Sequence, residues 1–447
     1  MAASSHSGLD WRALLARRGF RYFFSGMMIS LFGSGMNFAS VTWFILAQTG
    51  STVDVSIMLI LATLPGLLVP LAGGVLIDRV DRRYLAIGFD LARFVSVGAC
   101  AALIAFAHAG LLLIYCMVLF NGFCAAIYWA TINALVQEVV GADELIGANS
   151  ALVIAVQCGW LTAGALVGFL YDRVGIAGIL AVDSATYAAS AWCIYRLRSG
   201  YFTPRTSSPQ EARAGLDAPL AVAEETALPP LVEAMPDPGF LGELNDGIAY
   251  LRGQPAVMAM GFTYACMVAG VFSANVLVVA LAKDVLHSGA RGFGLLEFGW
   301  GFGALIGGVS VGLLMRRFRV TRLLLATLAI LAVGHAFFPF VHILLIAVAM
   351  QALFGSCRAI TGIMTQSSIM TTVPKHLMGR TQSAVMVFST SLQMLMSFLL
   401  GWLAERAGLI VAFSALSGIY LVAVATAWRA RGLAVGLPAA QAKSSGD

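Results

Sequence analysis

The chain has 447 residues, of which 60% are hydrophobic and only 11% are charged, and its formal net charge is +5. Soluble proteins carry about 25% charged residues, so this composition excludes an ordinary soluble globular protein. The positive residues lie in short loops beside apolar runs, which argues against a nucleic-acid-binding protein. Because the runs are about 20 residues long and do not alternate apolar with polar residues, they predict transmembrane helices and not a β-barrel.

The apolar runs predict twelve transmembrane helices, since a helix satisfies its own backbone hydrogen bonds inside a bilayer. The first six runs lie at 22–47, 53–77, 84–107, 111–136, 148–170 and 176–197. The last six lie at 256–281, 293–315, 321–340, 342–371, 382–404 and 408–429. Only Pro339 and His342 mark the turn between the ninth and tenth runs. The predicted fold class is an all-α membrane protein with its helices in two six-helix halves.

The distribution of Lys and Arg predicts the orientation. If both termini lie on the same side, that side carries 21 of the 27 Lys and Arg residues and the other side carries 4. Positive residues in short loops are retained in the cytoplasm. We therefore expect a multi-pass protein of the cell inner membrane with both termini cytoplasmic. Residues 1–19 show no cleavable signal peptide, so the first span is expected to act as the insertion signal.

The middle of the chain differs in composition from the spans. Residues 199–240 carry seven of the 13 prolines, which is typical of a flexible linker. Residues 240–251 place apolar side chains at helical spacing and predict a short amphipathic helix on the membrane surface before Pro255. The predicted division is an N-terminal half at 1–198, a cytoplasmic linker with the amphipathic helix at 199–254, a C-terminal half at 255–430 and a cytoplasmic tail at 431–447.

A charged segment joins the second and third spans and must lie at a membrane surface. Its glycines and charged residues are Gly73, Gly74, Asp78, Arg79, Asp81, Arg82 and Arg83. A second copy after the eighth span keeps Gly308, Arg316, Arg317 and Arg319 but has no carboxylate. Two six-helix halves that repeat each other are typical of secondary transporters whose substrate site lies between the halves.

The charged segment resembles the loop signature of the major facilitator superfamily, G-x-L-x-D-r-x-G-r-r. The matching residues are Gly74, Leu76, Asp78, Arg79, Arg82 and Arg83. With Asp81 in place of Gly, and with Asp90 and Arg93 in the next span, the segment is similar to the branch that contains the enterobactin exporters and macrolide efflux pumps. This resemblance implies the major facilitator fold and export by alternating access.

Two stretches depart from the patterns that proton-coupled exporters often show. Val118–Gly122 lacks the arginine that drug–proton antiporters often carry in the fourth span. Ala163–Gly168 has Gly where exporters often have Pro in the fifth span. Both departures leave the coupling mechanism open without favouring import.

The charged segment and ionisable residues near it predict a cytoplasmic gate. Its candidate residues are Gly74, Asp78, Arg79, Arg82, Arg83, Asp90, Arg93, Glu138 and Arg380. Asp78 can accept hydrogen bonds from the start of the eleventh span near Arg380, where the helix dipole favours an anion. Arg82 and Arg83 can pair with Asp90 or Glu138. We expect such contacts only when the halves close on the cytoplasmic side; the alternative is that the charges merely fix the topology.

Carboxylates inside the spans are candidates for proton coupling, because ionisable residues in a membrane are costly. Asp183 and Glu297 can each bind and release a proton in a low-dielectric environment. The alternative is that each lies near the start of its helix and is stabilised there by the helix dipole.

Polar residues deep in the spans are candidates for the substrate cavity. They are Asn37, Gln157, Asn275, Arg358 and Gln393. Arg358 has no carboxylate within two turns on its own helix and needs an anion from another helix or from a substrate; the alternative is an arginine that reaches the cytoplasmic surface. For the amides, the alternative is a hydrogen bond between helices.

The sequence thus predicts a proton-driven exporter of a bulky amphipathic small molecule, such as a drug, a macrolide or a siderophore. An importer or facilitator of a polar solute is one alternative, and a non-transporting membrane sensor or scaffold is another. We expect no enzyme, no cofactor and no metal, because no catalytic or metal-ligating cluster converges and no P-loop is present. The expected partners are the small-molecule substrate, the proton and the lipid bilayer, with no nucleic acid, and the chain is expected to be a monomer.

Overall fold

The computed structural model describes residues 11–107, 110–141, 144–197, 239–374 and 377–430. It describes only the backbone of residues 11–13, 70–79, 107, 145, 146, 149, 150, 153, 154, 160, 239–241, 243 and 430. Within these ranges all long elements are helices. Large apolar side chains cover their outer faces: Phe106, Leu345 and Val309 are 87%, 78% and 75% exposed. A soluble protein would bury such residues, so the outer surface fits a lipid environment and the all-α membrane fold is confirmed.

The N-terminal half follows a short first helix, α1 (Trp11–Ala16). Its long helices are α2 (Arg18–Thr49), α3 (Thr52–Arg79), α4 (Arg82–Ala107), α5 (Leu111–Val139) and α6 (Leu145–Tyr195). Helix α6 has 51 residues, far more than one crossing requires.

Helix α6 crosses the bundle twice because it turns at Gly175. That residue has φ 62° and ψ −172°, a conformation that glycine adopts without the clash of a Cβ atom. Gly159, before the turn, lies against Leu31 of α2, and Cys193, after the turn, lies against Gly26 of the same helix. Since both parts of α6 run alongside α2, the chain doubles back and the predicted fifth and sixth spans are one folded helix.

The C-terminal half follows an amphipathic helix, α7 (Gly239–Gly253). Its long helices are α8 (Pro255–Ala280), α9 (Gly289–Arg317), α10 (Val320–Phe337), α11 (Leu344–Thr372), α12 (Met378–Ala407) and α13 (Leu409–Ala430). A π-helical turn, Leu281–Val285, extends α8, and a 3₁₀ turn, Phe338–Phe340, ends α10. The predicted turn at Pro339 and His342 is therefore confirmed.

Eleven helices of the described chain are long and apolar enough to cross a membrane, and the doubled α6 agrees with twelve crossings. The bundle has two ends. We call the end with the loops α3–α4, α5–α6, α9–α10 and α11–α12 the basic end, because its loops carry the arginines near residues 82, 317 and 380. The opposite end, which holds the loops α2–α3, α8–α9 and α12–α13, is called the far end.

Small residues set how closely the helices of one half approach each other. Gly299, Gly303 and Gly307 of α9 face the backbone of α11, where a Cβ atom at any of them would overlap a carbonyl oxygen. This confirms the close-packing face that their spacing of four residues indicates. The helix pair α9 and α11 therefore forms a rigid wall of the C-terminal half.

Candidate functional site

The two halves meet at the far end through a carboxylate that caps a helix of the other half. Glu405, near the end of α12, accepts hydrogen bonds from the Ser51 hydroxyl and from the Val53 backbone N–H at 2.9 Å. Both donors stand at the start of α3. The negative charge therefore lies at the N-terminus of α3, where unpaired N–H groups and the helix dipole favour an anion.

A lysine makes the opposite contact at the neighbouring helix end. Lys283, in the π-helical turn after α8, donates from Nζ to the Leu46 carbonyl oxygen at 2.8 Å. Leu46 lies in the last turn of α2, where carbonyl groups favour a cation. We call Ser51, Thr52, Ser56, Lys283, Gly401 and Glu405, with the carbonyl groups that they contact, the far-end junction.

Hydroxyl groups extend the far-end junction along α3 and α12. Thr52 donates to the carbonyl oxygen of Gly401 at 2.7 Å, and Ser56 donates to that of Ser397 at 2.8 Å. A Cβ atom on Gly401 would overlap the Ser56 hydroxyl, so only glycine permits this approach. The junction therefore depends on backbone groups that a small sideways movement would separate.

On the other side of the molecule, α6 and α9 touch through glycines. A Cβ atom on Gly294 would lie 2.7 Å from the Cα atom of Gly168, and one on Gly164 would lie 2.8 Å from the Cβ atom of Glu297. Trp43 of α2 stacks on Phe293 nearby, with ring centroids 6.1 Å apart. These contacts also lie in the far half of the bundle.

The ion pairs of the basic end stay within one half each. Arg17 pairs with Glu144 at 2.6 Å and Arg82 with Glu138 at 2.8 Å, both inside the N-terminal half. Arg380 pairs with Asp246 of the amphipathic helix at 2.9 Å, inside the C-terminal half. Among the described residues, no hydrogen bond or ion pair joins the halves at this end. In the part of the chain that the structure describes, the two halves are thus linked by hydrogen bonds at the far end and not at the basic end.

This arrangement corrects one expectation about the gate. The Arg82–Glu138 pair joins α4 to α5, so it forms without closure of the two halves, contrary to our expectation. Arg83 likewise donates to carbonyl groups of its own half, those of Ile194 and Tyr195. The backbone of Gly74, Asp78 and Arg79 lies in α3, but their side chains are outside the described part of the chain, so the contact expected of Asp78 stays a prediction.

A buried ion pair occupies the interior of the N-terminal half. Asp90 and Arg93 lie one turn apart on α4 and are 0% and 3% exposed, with 3.9 Å between Oδ1 and Nη1. Tyr128 of α5 and Tyr187 of α6 present their rings to the guanidinium carbon of Arg93 at 4.8 and 5.2 Å. The aromatic faces stabilise the cation and hold it in place.

A second buried carboxylate, Asp183 of α6, lies in the same half. Its Oδ2 accepts a hydrogen bond from the amide of Asn37 at 2.7 Å, so two of the predicted polar residues are brought together. Ser34, one turn before Asn37 on α2, bonds the hydroxyl of Tyr187 at 3.0 Å. Polar groups of α2, α4, α5 and α6 therefore form one buried cluster.

The C-terminal half holds a small polar cavity of about 20 Å³, room for roughly one water molecule. Its polar lining residues are Asn275, Glu297, His335, Gln351, Arg358 and Tyr420. The Arg358 guanidinium lies over the Trp300 ring at 5.0 Å. Glu297 and Arg358 line the same cavity, although no ion pair within 4.0 Å joins them among the described residues. The cavity therefore gathers a carboxylate, a guanidinium and two amides from the three helices α8, α9 and α11.

Some polar candidates lie apart from these clusters, and some functional residues have no sequence signal. Gln157 is half-buried on α6 and Gln393 is buried on α12. The sequence alone does not indicate Glu405 or His335, since neither lies in a motif. Lys283 is one of only four cations expected on its side of the membrane, and that rarity is the signal that marks it.

The comparisons with known proteins agree with this architecture. The profile of the Major Facilitator Superfamily matches residues 23–395. The chain is 28% identical to the enterobactin exporter EntS of Salmonella typhi over 380 residues, which are 83% of this chain and 82% of the exporter. It is 23% identical to macrolide efflux protein A of Streptococcus pyogenes over 313 residues, 69% of each protein.

A solved structure shows the same fold at lower identity. The crystal structure of a bacterial homologue of the iron transporter ferroportin, in an inward-facing state, superposes with a TM-score of 0.66 and 17% identity. The match covers 93% of this chain and 99% of that one. Since the family profile spans most of the sequence, the chain belongs to the major facilitator superfamily and is a multi-pass membrane transporter and not an enzyme.

Proposed function

We propose that this transporter exports bulky amphipathic small molecules across the inner membrane and is driven by the proton gradient. The observation that carries the proposal is the asymmetry between the two ends: the far-end junction is formed, and no hydrogen bond or ion pair joins the described residues of the two halves at the basic end. Halves that are joined at only one end are typical of one of the two states that alternating access requires.

The orientation of the two ends follows from the charges. The basic end corresponds to the side that carries 21 of the 27 Lys and Arg residues, and such residues favour the cytoplasm. In this orientation the far-end junction lies on the outer side, and access to the interior is expected from the cytoplasm, where an exporter collects its cargo. The inward-facing state of the ferroportin homologue, which has the same fold, supports this assignment.

Release on the other side requires the far-end junction to break. Its caps and hydroxyl contacts involve few groups, and Glu405 is exposed. The apolar contact between Trp43 and Phe293 has to separate in the same movement. The candidate gate at Asp78 would then form at the cytoplasmic end and hold that end closed. The relatives named for enterobactin and for macrolides support an amphipathic cargo.

The buried carboxylates support proton coupling. Asp183 is completely buried in the N-terminal half and Glu297 is 9% exposed in the C-terminal half. Carboxylates at such depth in a membrane protein are energetically costly, and their presence there favours a role in transport. We assign proton exchange to this class of residue. We assign contact with cargo to Arg358 and Trp300, whose stacked pair lines the C-terminal cavity, and this contact requires the cavity to widen during transport.

The test is compound accumulation in cells with and without the protein. Erythromycin, a catecholate siderophore and ethidium are measured separately, each with and without a protonophore. We expect the protein to lower accumulation of at least one compound, and the protonophore to restore it. Unchanged accumulation of all three compounds contradicts the proposed export, and efflux that survives the protonophore contradicts proton coupling.

A facilitator of a polar solute is the second candidate. The observation that favours it is the polar lining of the C-terminal cavity, where Glu297, Gln351 and Arg358 converge. It predicts uptake of radiolabelled sugars or amino acids that is insensitive to a protonophore, measured in the same cells.

A further inference from the structure

The interior of the N-terminal half has more negative than positive groups. Asp90 and Asp183 are both 0% exposed, and Arg93 is the cation that acts electrostatically on both of them. We call these three residues the triad. The other titratable groups packed around it are Cys124 and Tyr128 of α5 and Tyr187 of α6, while α2 contributes the uncharged Ser30, Ser34 and Asn37.

The charge count of the triad is unbalanced when both carboxylates are ionised. Two negative charges and one positive charge leave a net charge of −1 away from water. Burial of a charge without a counter-ion is strongly unfavourable, and such groups bind a proton instead. In the closed interior described here, the triad reaches neutrality with one proton.

We propose that Asp90, Arg93 and Asp183 form a single proton-binding site that holds one exchangeable proton and couples the gradient to transport. This inference rests on the proposed proton-driven export and deepens it: the proton belongs to the triad and not to Asp183 alone. Two acids that share one counter-ion titrate as a pair.

The hydrogen bonds indicate where the proton resides. Asp183 accepts a hydrogen bond from Nδ2 of Asn37, a nitrogen that donates and does not accept, and such a bond favours the ionised carboxylate. The Asp90 carboxyl faces the hydroxyl groups of Ser30, Tyr128 and Ser190, which can accept a hydrogen bond from a protonated acid as well as donate one. The Nε of Arg93 has no hydrogen-bond partner among the described residues. In this state Asp90 carries the proton and stays 3.9 Å from Arg93, and Asp183 is the ionised carboxylate on which Arg93 acts electrostatically.

The triad can couple to the conformational change because it joins α4 to α6, and the Asn37 hydrogen bond links it to α2. When the proton leaves Asp90, the net charge of −1 remains between α2, α4 and α6, and the packing of these helices has to change to accommodate it. A proton shifts the balance between two conformations only if it binds one of them more tightly. The triad meets this condition if water reaches Asp90 when the far end is open and does not reach it when the far end is closed.

The experiment measures protonated carboxyl groups by infrared spectroscopy of the purified full-length protein in liposomes at neutral pH. Asp90→Asn is expected to remove one carboxylic-acid C=O band, because Asp183 then pairs one-to-one with Arg93. Asp183→Asn is expected to remove one band as well, and the double variant no more than either single variant. Arg93→Gln is expected to add one band, since neither carboxylate then has a counter-ion.

Glu297→Gln is the matched control, because it removes a buried carboxylate of the other half and its effect should add to that of each triad variant. Retention of the band in Asp183→Asn, loss of two bands in the double variant, or no gain in Arg93→Gln each overturns the triad. If Asp90→Asn fails to fold by size-exclusion chromatography, Asp183→Asn and Arg93→Gln still decide the question.

The infrared spectra are recorded without a transport substrate, so they test the triad independently of the proposed function. Ethidium efflux from cells is the second measurement. We expect efflux by Asp90→Asn and by Asp183→Asn to be insensitive to the protonophore. Protonophore-insensitive efflux by the unmodified protein overturns the proposed function and leaves the infrared result standing. Dependence that persists in both variants overturns the coupling role of the triad.

Discussion

Removal of the Glu405 carboxylate should shift the protein away from the far-closed state. In Glu405→Ala, the Ser51 hydroxyl and the Val53 N–H at the start of α3 lose their acceptor. Because donor and acceptor come from different halves, the loss affects only the state in which the halves meet at this end. The variant should insert and fold normally, since the contacts within each half are unchanged.

The size of the shift follows from the groups involved. Loss of a side chain that caps a helix N-terminus costs about 1 kcal/mol. An exposed carboxylate at a helix N-terminus adds roughly 0.3–1 kcal/mol through the helix dipole. A combined loss of about 1.4 kcal/mol lowers the ratio of far-closed to far-open molecules about tenfold. High salt should reduce the dipole part of this effect.

Electron–electron distance measurements between spin labels test this prediction. Labels at Gln48 and His342, both exposed at the far end, report its opening in a variant whose seven native cysteines are replaced. We expect a longer distance to gain population in Glu405→Ala. Asp284→Ala is the control, because this far-end carboxylate makes no hydrogen bond to the other half among the described residues. Equal distributions in Glu405→Ala and in the parent refute the capping argument, and so does an equal shift in the control.

Three further variants test other contacts. Gly401→Val places a side chain where the Ser56 hydroxyl lies, so it should prevent far-end closure and abolish efflux, measured with the same spin labels and as ethidium accumulation. Gly247→Leu should displace the amphipathic helix from α12, because a side chain there overlaps the Arg380 carbonyl oxygen; faster protease cleavage at the helix checks this, and an unchanged cleavage rate contradicts it. Asp78→Asn should abolish transport while the protein still inserts, and normal efflux by membrane-inserted Asp78→Asn rules out its role in the gate.

The parts of the fold that depend on neighbouring residues could be predicted from the sequence. Apolar runs predict the helices because each residue contributes locally to membrane insertion. The pairing of Asp90 with Arg93 also follows from their separation of three residues, which puts them on one face of a helix. The close packing of α9 follows in the same way from glycines four residues apart.

The contacts between distant segments could not be predicted in this way. Glu405 caps a helix that begins more than 350 residues earlier in the chain, and no local pattern encodes that distance. Arg82 has several carboxylates within reach in sequence terms, and only the packing of α4 on α5 selects Glu138. The sharing of Arg93 by two carboxylates likewise depends on how α4 and α6 are rotated toward each other.

The glycine contact between α6 and α9 has a consequence for how such a protein can change over generations. Gly164, Gly168 and Gly294 bring two main chains together, so the two halves contact each other there through main-chain atoms. Residues that line the C-terminal cavity can therefore be replaced without disturbing that contact. A lineage of such proteins can acquire new cargoes by substitutions at positions such as Asn275 or Arg358 while the movement itself is inherited unchanged.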